Sequence, residues 1–173
     1  MGEEVSSYKG TAKEGVRHFS DIFKENDQAN IAEVINLAQY FPRFADEMDN
    51  RALMAEVTKG ELKVVLSSLQ KDKSPGPDGW TVEFLIALYD VIGGDLLKVV
   101  EDTRTSGRIL ASFNATFITL ILKTDSSSSW NDFMPISLCN CVYKVVSKII
   151  SRRLKVVLSQ NISEEQFGFL AGR

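Results

Sequence analysis

The sequence predicts an α+β fold, with a helix-rich first half followed by a short β-hairpin and one long helix. Three observations carry this. Between Glu14 and Thr105 apolar residues recur three and four positions apart, the spacing of helices buried along one face. Ala115-Thr-Phe-Ile-Thr-Leu-Ile-Leu122 is apolar and β-branched and stops at Lys123. The turn residues 124–129 then part it from a second extended run, Asp132-Phe-Met-Pro-Ile-Ser-Leu138. From about Cys139 to Leu158 a helical pattern runs without a single acidic residue. A chain of 173 residues, 44% hydrophobic, is long enough for one domain with a modest core and too apolar for wholesale disorder.

Taken in order, residues 1–57 read as helical and polar. Glu14 to Lys24 sets Val16, Phe19, Ile22 and Phe23 on one stripe; Ile31 to Leu37 is a shorter apolar patch, and Pro42 breaks the helical pattern beyond it. His18 is the only histidine, so a His-based metal site or a Ser-His-Asp triad has little to work with. Thr58-x-x-Glu61 is a capping box, and Leu62, Val65, Leu66 and Leu69 follow at helical spacing to an end near Gln70. The connector Lys71-Asp-Lys-Ser-Pro-Gly-Pro-Asp-Gly79 is stiff, because two prolines fix φ; its two glycines reach conformations closed to other residues. Trp80 to about Thr105 predicts two helices divided near Gly93-Gly94. Val82, Leu85, Ile86 and Tyr89 line the first, and Leu96, Val99 and Val100 the second. Asp95 is the expected cap of the second helix and Gly107 its close. Trp80, Phe84 and Tyr89 offer faces on which bases stack, although aromatic residues at helical spacing are more often core.

The first extended run has the composition of a mostly buried strand. The last helix has two faces. Val142, Val145, Val146, Ile149, Ile150, Leu154, Val157 and Leu158 are spaced to pack; Lys144, Lys148, Arg152 and Lys155, with Arg153 alongside, make the other side positive. Residues 1–72 hold nine Lys/Arg against thirteen Asp/Glu, whereas Arg104 to Leu158 holds eight against two. The net charge of −3 therefore conceals a local basic segment, which suits nucleic acid and equally suits a solvated helix face. Cys139 and Cys141 supply too few ligands for a metal site and read as small buried or half-buried residues. Asn114-Ala-Thr116 and Asn161-Ile-Ser163 match the glycosylation pattern by coincidence if, as the N-terminus suggests, no secretory signal is present. Gly2 with Ser6 loosely fits a myristoylation pattern, but Glu3 and Glu4 give it no basic second signal. No apolar run approaches the ~20 residues of a membrane span. An intracellular, cytoplasmic or nuclear, location with no membrane partner is expected.

Four blocks in sequence resemble a known family. Lys73-Ser-Pro-Gly-Pro-Asp-Gly79, Asn114-Ala-Thr-Phe-Ile-Thr-Leu-Ile-Leu-Lys123, Asp132-Phe-Met-Pro-Ile-Ser-Leu-Cys-Asn140 and Gln166-Phe-Gly-Phe-Leu-Ala-Gly-Arg173 are similar to the opening blocks of a reverse transcriptase. The nearest likeness is to non-LTR (LINE-type) retrotransposons of plants, and it runs from about Glu61 to Arg173. Four blocks in order are far more specific than any one of them. The resemblance implies that residues 1–57 are a helical linker upstream of the polymerase. Residues 58–173 would be an incomplete domain, the fingers of a right-hand polymerase and the start of its palm.

The complete family enzyme copies an RNA template onto a DNA primer from deoxynucleoside triphosphates, with Mg²⁺. Its metal-binding aspartates lie downstream of the Gln-x-Gly-Phe block, so the resemblance implies no catalytic and no metal-binding residue here, and no activity of this chain alone. Phe44-Ala-Asp-Glu47 faintly resembles the family's aromatic-Ala-Asp-Asp box but stands upstream of the fingers blocks, without a partner carboxylate. Lys123 is implied to reach the triphosphate of the incoming nucleotide. Its companion, the arginine of the family's Phe-Arg-Pro-Ile-Ser, is Met134 in this chain, which neither carries charge nor donates forked hydrogen bonds. Lys71 and Lys73 are implied as phosphate contacts, and Lys144, Lys148, Arg152 and Lys155 as a nucleic-acid-binding face. Two other readings stay open: a non-catalytic nucleic-acid-binding module and a helical protein-interaction domain. The sequence leaves the oligomeric state open.

Overall fold

Eight helices and one two-stranded antiparallel hairpin make up the described residues, which in this computed structural model are 7–24, 31–40, 43 and 45–161. They fall into two units, one of residues 1–42 with 118–136 and one of residues 43–117 with 137–173. The Gln166–Arg173 block, the break at Pro42 and the aromatic of Phe44-Ala-Asp-Glu47 lie outside the described residues.

The second unit is helical. Its α3 (Glu47–Leu53), α4 (Lys59–Ser68), α5 (Val82–Ala87), α6 (Tyr89–Ser106), α7 (Ala111–Asn114) and α8 (Cys141–Asn161) pack on α4 and α8: α4 touches α5, α6 and α8, and α8 also touches α3 and α7. The apolar spacing that follows Thr58 buries Leu62, Val65 and Leu66 completely, against Leu85 of α5, Leu96 and Val100 of α6, and Val145 and Ile149 of α8. Each such side chain contributes ~1.5–3 kcal/mol by leaving water. Thr58 Oγ1 accepts the Glu61 N–H at 3.0 Å as expected. The reciprocal half of the capping box is not made, because the Glu61 carboxylate turns to Arg153.

The helices of this unit depart from expectation in three places. The division between α5 and α6 falls at Leu88, whose φ of −97° and ψ of 8° interrupt the helix, and not at Gly93-Gly94. Gly93 lies inside α6 because the Tyr89 ring crosses it; a Cβ there would stand 3.0 Å from that ring. Asp95 caps nothing and pairs instead with Lys98 at 2.8 Å on the exposed surface. On α8, Val142, Val145, Ile149 and Val157 are buried, but Ile150 and Leu154 face out. Gly107 does end α6, at φ +66°, in the left-handed conformation that glycine adopts freely.

In the first unit, Ser7 caps α1 (Tyr8–Phe23), accepting the Gly10 N–H at 3.2 Å. Of the expected stripe only Phe19 is buried; Val16, Ile22 and Phe23 are exposed. Phe19 meets the Trp130 ring edge-on at 6.2 Å, and Trp130 lies 5.7 Å from Phe133. The Trp130 ring sits over Gly15, where a Cβ would come within 2.8 Å of it, so a larger residue there would push the ring aside. The described side chains of α2 (Ile31–Ala38) are exposed.

The hairpin pairs β1 (Thr116–Leu122) with β2 (Phe133–Cys139). β1 is exposed at all seven positions, against the expectation of a mostly buried strand. Its composition suits burial, but in a sheet of two strands no described element covers it.

Candidate nucleic-acid interface

The Pro-Gly-Pro-Asp-Gly connector is held in one shape and latched to the start of α8. The Gly79 N–H donates to the Gly76 carbonyl at 3.0 Å, closing a turn over Pro77 and Asp78, with Gly79 at φ +73°. Asp78 Oδ1 accepts the Trp80 N–H at 3.0 Å. Gly76 is buried flat on the Cys139–Asn140 backbone; a Cβ would stand 2.6 Å from the Cys139 carbonyl carbon. Asn140, only 1% exposed, is the latch. Its Oδ1 accepts the Asp78 N–H at 3.1 Å and its Nδ2 donates to the Ser112 carbonyl at 2.8 Å. Its own carbonyl takes the Lys144 N–H at 3.1 Å, in the first turn of α8. One buried amide thus joins the connector, α7 and α8. Nearer α4, the Asp72 N–H donates to Glu83 Oε1 at 2.6 Å, and that bond holds the Glu83 carboxyl below its usual range.

This latch opens a cleft of about 360 Å³ between the connector, the end of α4 and α8. Lys73 reaches it from the connector, and Lys144 and Lys148 from successive turns of α8. Among the described residues none of these three ammonium groups forms an ion pair. Trp80 also lines the cleft, 43% exposed, with the 41%-exposed Phe84 ring 5.7 Å from it. Cys141 lies on the cleft wall at 2% exposure, and burial pushes its thiol up, away from the thiolate a nucleophile or metal ligand requires.

The structure thus brings together Lys73, Lys144 and Lys148. Arg152 and Lys155 are exposed and continue the same face of α8 past the cleft. Lys71 is exposed and outside the cleft lining, with its charge near enough to Glu83 to favour that carboxylate. Arg153 leaves the basic face: its guanidinium pairs with Glu61 at 2.8 Å and donates to the Leu53, Ala55 and Glu56 carbonyls. Tyr89 turns inward, donating from its hydroxyl to the Lys59 carbonyl at 2.8 Å. Within the first unit, Lys123 Nζ donates to the Asn131 carbonyl at 2.8 Å across the hairpin turn, and Met134 is 46% exposed on β2. The Asp132 carboxylate closes that turn by accepting the Ser128 and Ser129 N–H groups at 2.9 Å. Among the described residues no three His, Cys, Asp or Glu side chains are grouped to hold a metal ion.

Asn140 escaped the reading of the sequence, though it ends the third block, and a polar residue fixed at the boundary of a strand and a helix is the available signal. No protein-family model matches the chain. It is similar to the uncharacterized 149 kDa protein of transposon TX1 from Xenopus laevis, with 32% identity over 127 residues. The match covers 73% of this chain and 10% of that protein, so the chain spans about a tenth of its relative's length.

Proposed function

We propose that this chain is a segment of a reverse transcriptase of a non-LTR retroelement, and that its task is to grip the phosphate backbone of nucleic acid in the Lys73–Lys144–Lys148 cleft. The observation that carries this is convergence: the connector of the first block and the helix that follows the third, far apart in sequence, bring three lysines to one cleft, none of them in an ion pair among the described residues. The transposon relative supports the retroelement origin. In the complete enzyme the ligand would be RNA template and DNA primer, with deoxynucleoside triphosphate near Lys123. Lys123 supplies a point charge, and Met134 leaves it without a guanidinium companion.

The test is a salt series of oligonucleotide binding. Three neutralised phosphates of a single strand give a log–log slope of about −2, since each contributes ~0.7. Combined Lys144→Glu and Lys148→Glu weakens binding at least about tenfold at low salt. Affinity unchanged by that double reversal would remove the cleft from the account. A protein-docking role has one observation in its favour, the apolar β1, exposed along its whole length. It predicts association that salt does not weaken.

A further inference from the structure

Trp80 and Phe84 are the large aromatic rings that stand out from the second unit beside the cleft. Trp80 stands just before α5 and Phe84 within it, and α5 buries Val82 and Leu85, so the core positions of that helix are already filled. The Trp80 backbone is fixed by Asp78 Oδ1, and Thr81 caps α5 through the Phe84 N–H at 3.2 Å. The indole therefore projects from a rigid corner, with the Phe84 ring against it, into the same cleft as three lysines. An exposed indole among ammonium groups that have no acidic partner among the described residues suits a ligand with anionic links and flat apolar faces.

We propose that Trp80, backed by Phe84, is a base-stacking platform, and that the strand held in the lysine cleft is unpaired. The proposal rests on the nucleic-acid reading above. In a duplex the base faces are stacked on one another and closed to the indole. In a single strand they are free, and every base has one to offer. Ribose and deoxyribose strands share this chemistry, so both are tested.

The full chain carrying Trp130→Phe has Trp80 as its only indole. It is titrated with oligouridine and oligothymidine of about twelve nucleotides and with a duplex of equal phosphate count. Both single strands, or whichever the cleft accepts, quench the indole emission, and the duplex does not. By anisotropy, in the otherwise unaltered chain, Trp80→Ala weakens single-strand binding about five- to a hundredfold and leaves duplex binding and the salt slope alone; Trp80→Phe keeps most of the affinity. Quenching by one sugar type alone assigns the strand to RNA or DNA. A single strand that binds, is weakened by Lys148→Glu, and neither quenches the indole nor responds to Trp80→Ala overturns the platform and leaves the cleft standing. Absence of binding by either strand form overturns both.

Discussion

Two arginines hold one short segment, Leu53 to Val57, from different helices. Arg104 of α6 donates to the Met54 carbonyl at 2.9 Å and pairs with Glu101, whose Oε1 accepts the Val57 N–H at 2.7 Å. Arg153 of α8 takes the Leu53, Ala55 and Glu56 carbonyls and pairs with Glu61. The Arg153 side chain is 14% exposed and that of Glu61 26%, so their pairing is largely shielded from water. Arg153→Ala leaves Glu61 and two or three carbonyls without donors and costs about 2–4 kcal/mol of stability in urea unfolding, without changing nucleic-acid affinity. A loss below half a kilocalorie would show the clamp to be ornamental. Glu101 makes the same segment pH-sensitive. Its bond to Arg104 lowers its pKa below the ordinary 4.5, so its contribution is complete above pH 4.5 and is lost as the pH falls through the lowered value. Thermal melts of wild type and Glu101→Gln should converge as the pH drops below that range. Asn140→Ala strands the Asp78 N–H and the Ser112 carbonyl, and about 2–3 kcal/mol of stability goes with them. Binding weakens too, because Lys73 loses the latch that places it.

The elements divide by how local their causes are. α4 was legible because its cap and apolar spacing are both local, and the stop of α6 at Gly107 likewise. The break at Leu88 was not, since Gly93, the first of the glycine pair that suggests one further on, serves the close approach of Tyr89 inside α6. The basic face of α8 was legible as a pattern, but spacing alone could not separate Arg153, drawn off by Glu61 from 92 residues away, from its neighbours. β1 misled for the same reason in reverse: composition reports what a strand can bury, and only the fold reports what covers it. An uncharged, exposed strand of seven residues is a template for pairing with other chains. Ile121→Lys therefore lowers concentration-dependent association in light scattering and leaves the helical melt unchanged. Association unaffected by that lysine would place the sticky surface elsewhere.

At the scale of the whole molecule, the chain is similar to a stretch of a transposon protein that makes up about a tenth of that protein's length. Its four blocks were legible as a series, yet the cleft was not, because Lys73 and Lys144 belong to segments far apart in sequence that meet where Gly76 and Asp78 lie on Asn140. The measurement that tests this most directly is a binding titration of one labelled single strand against Lys73→Glu and Lys148→Glu at several salt concentrations. One lysine comes from the connector and the other from α8. The account predicts that each reversal weakens binding and lowers the salt slope by ~0.7, one phosphate contact apiece. Affinity and slope left at wild-type values by both reversals would contradict it.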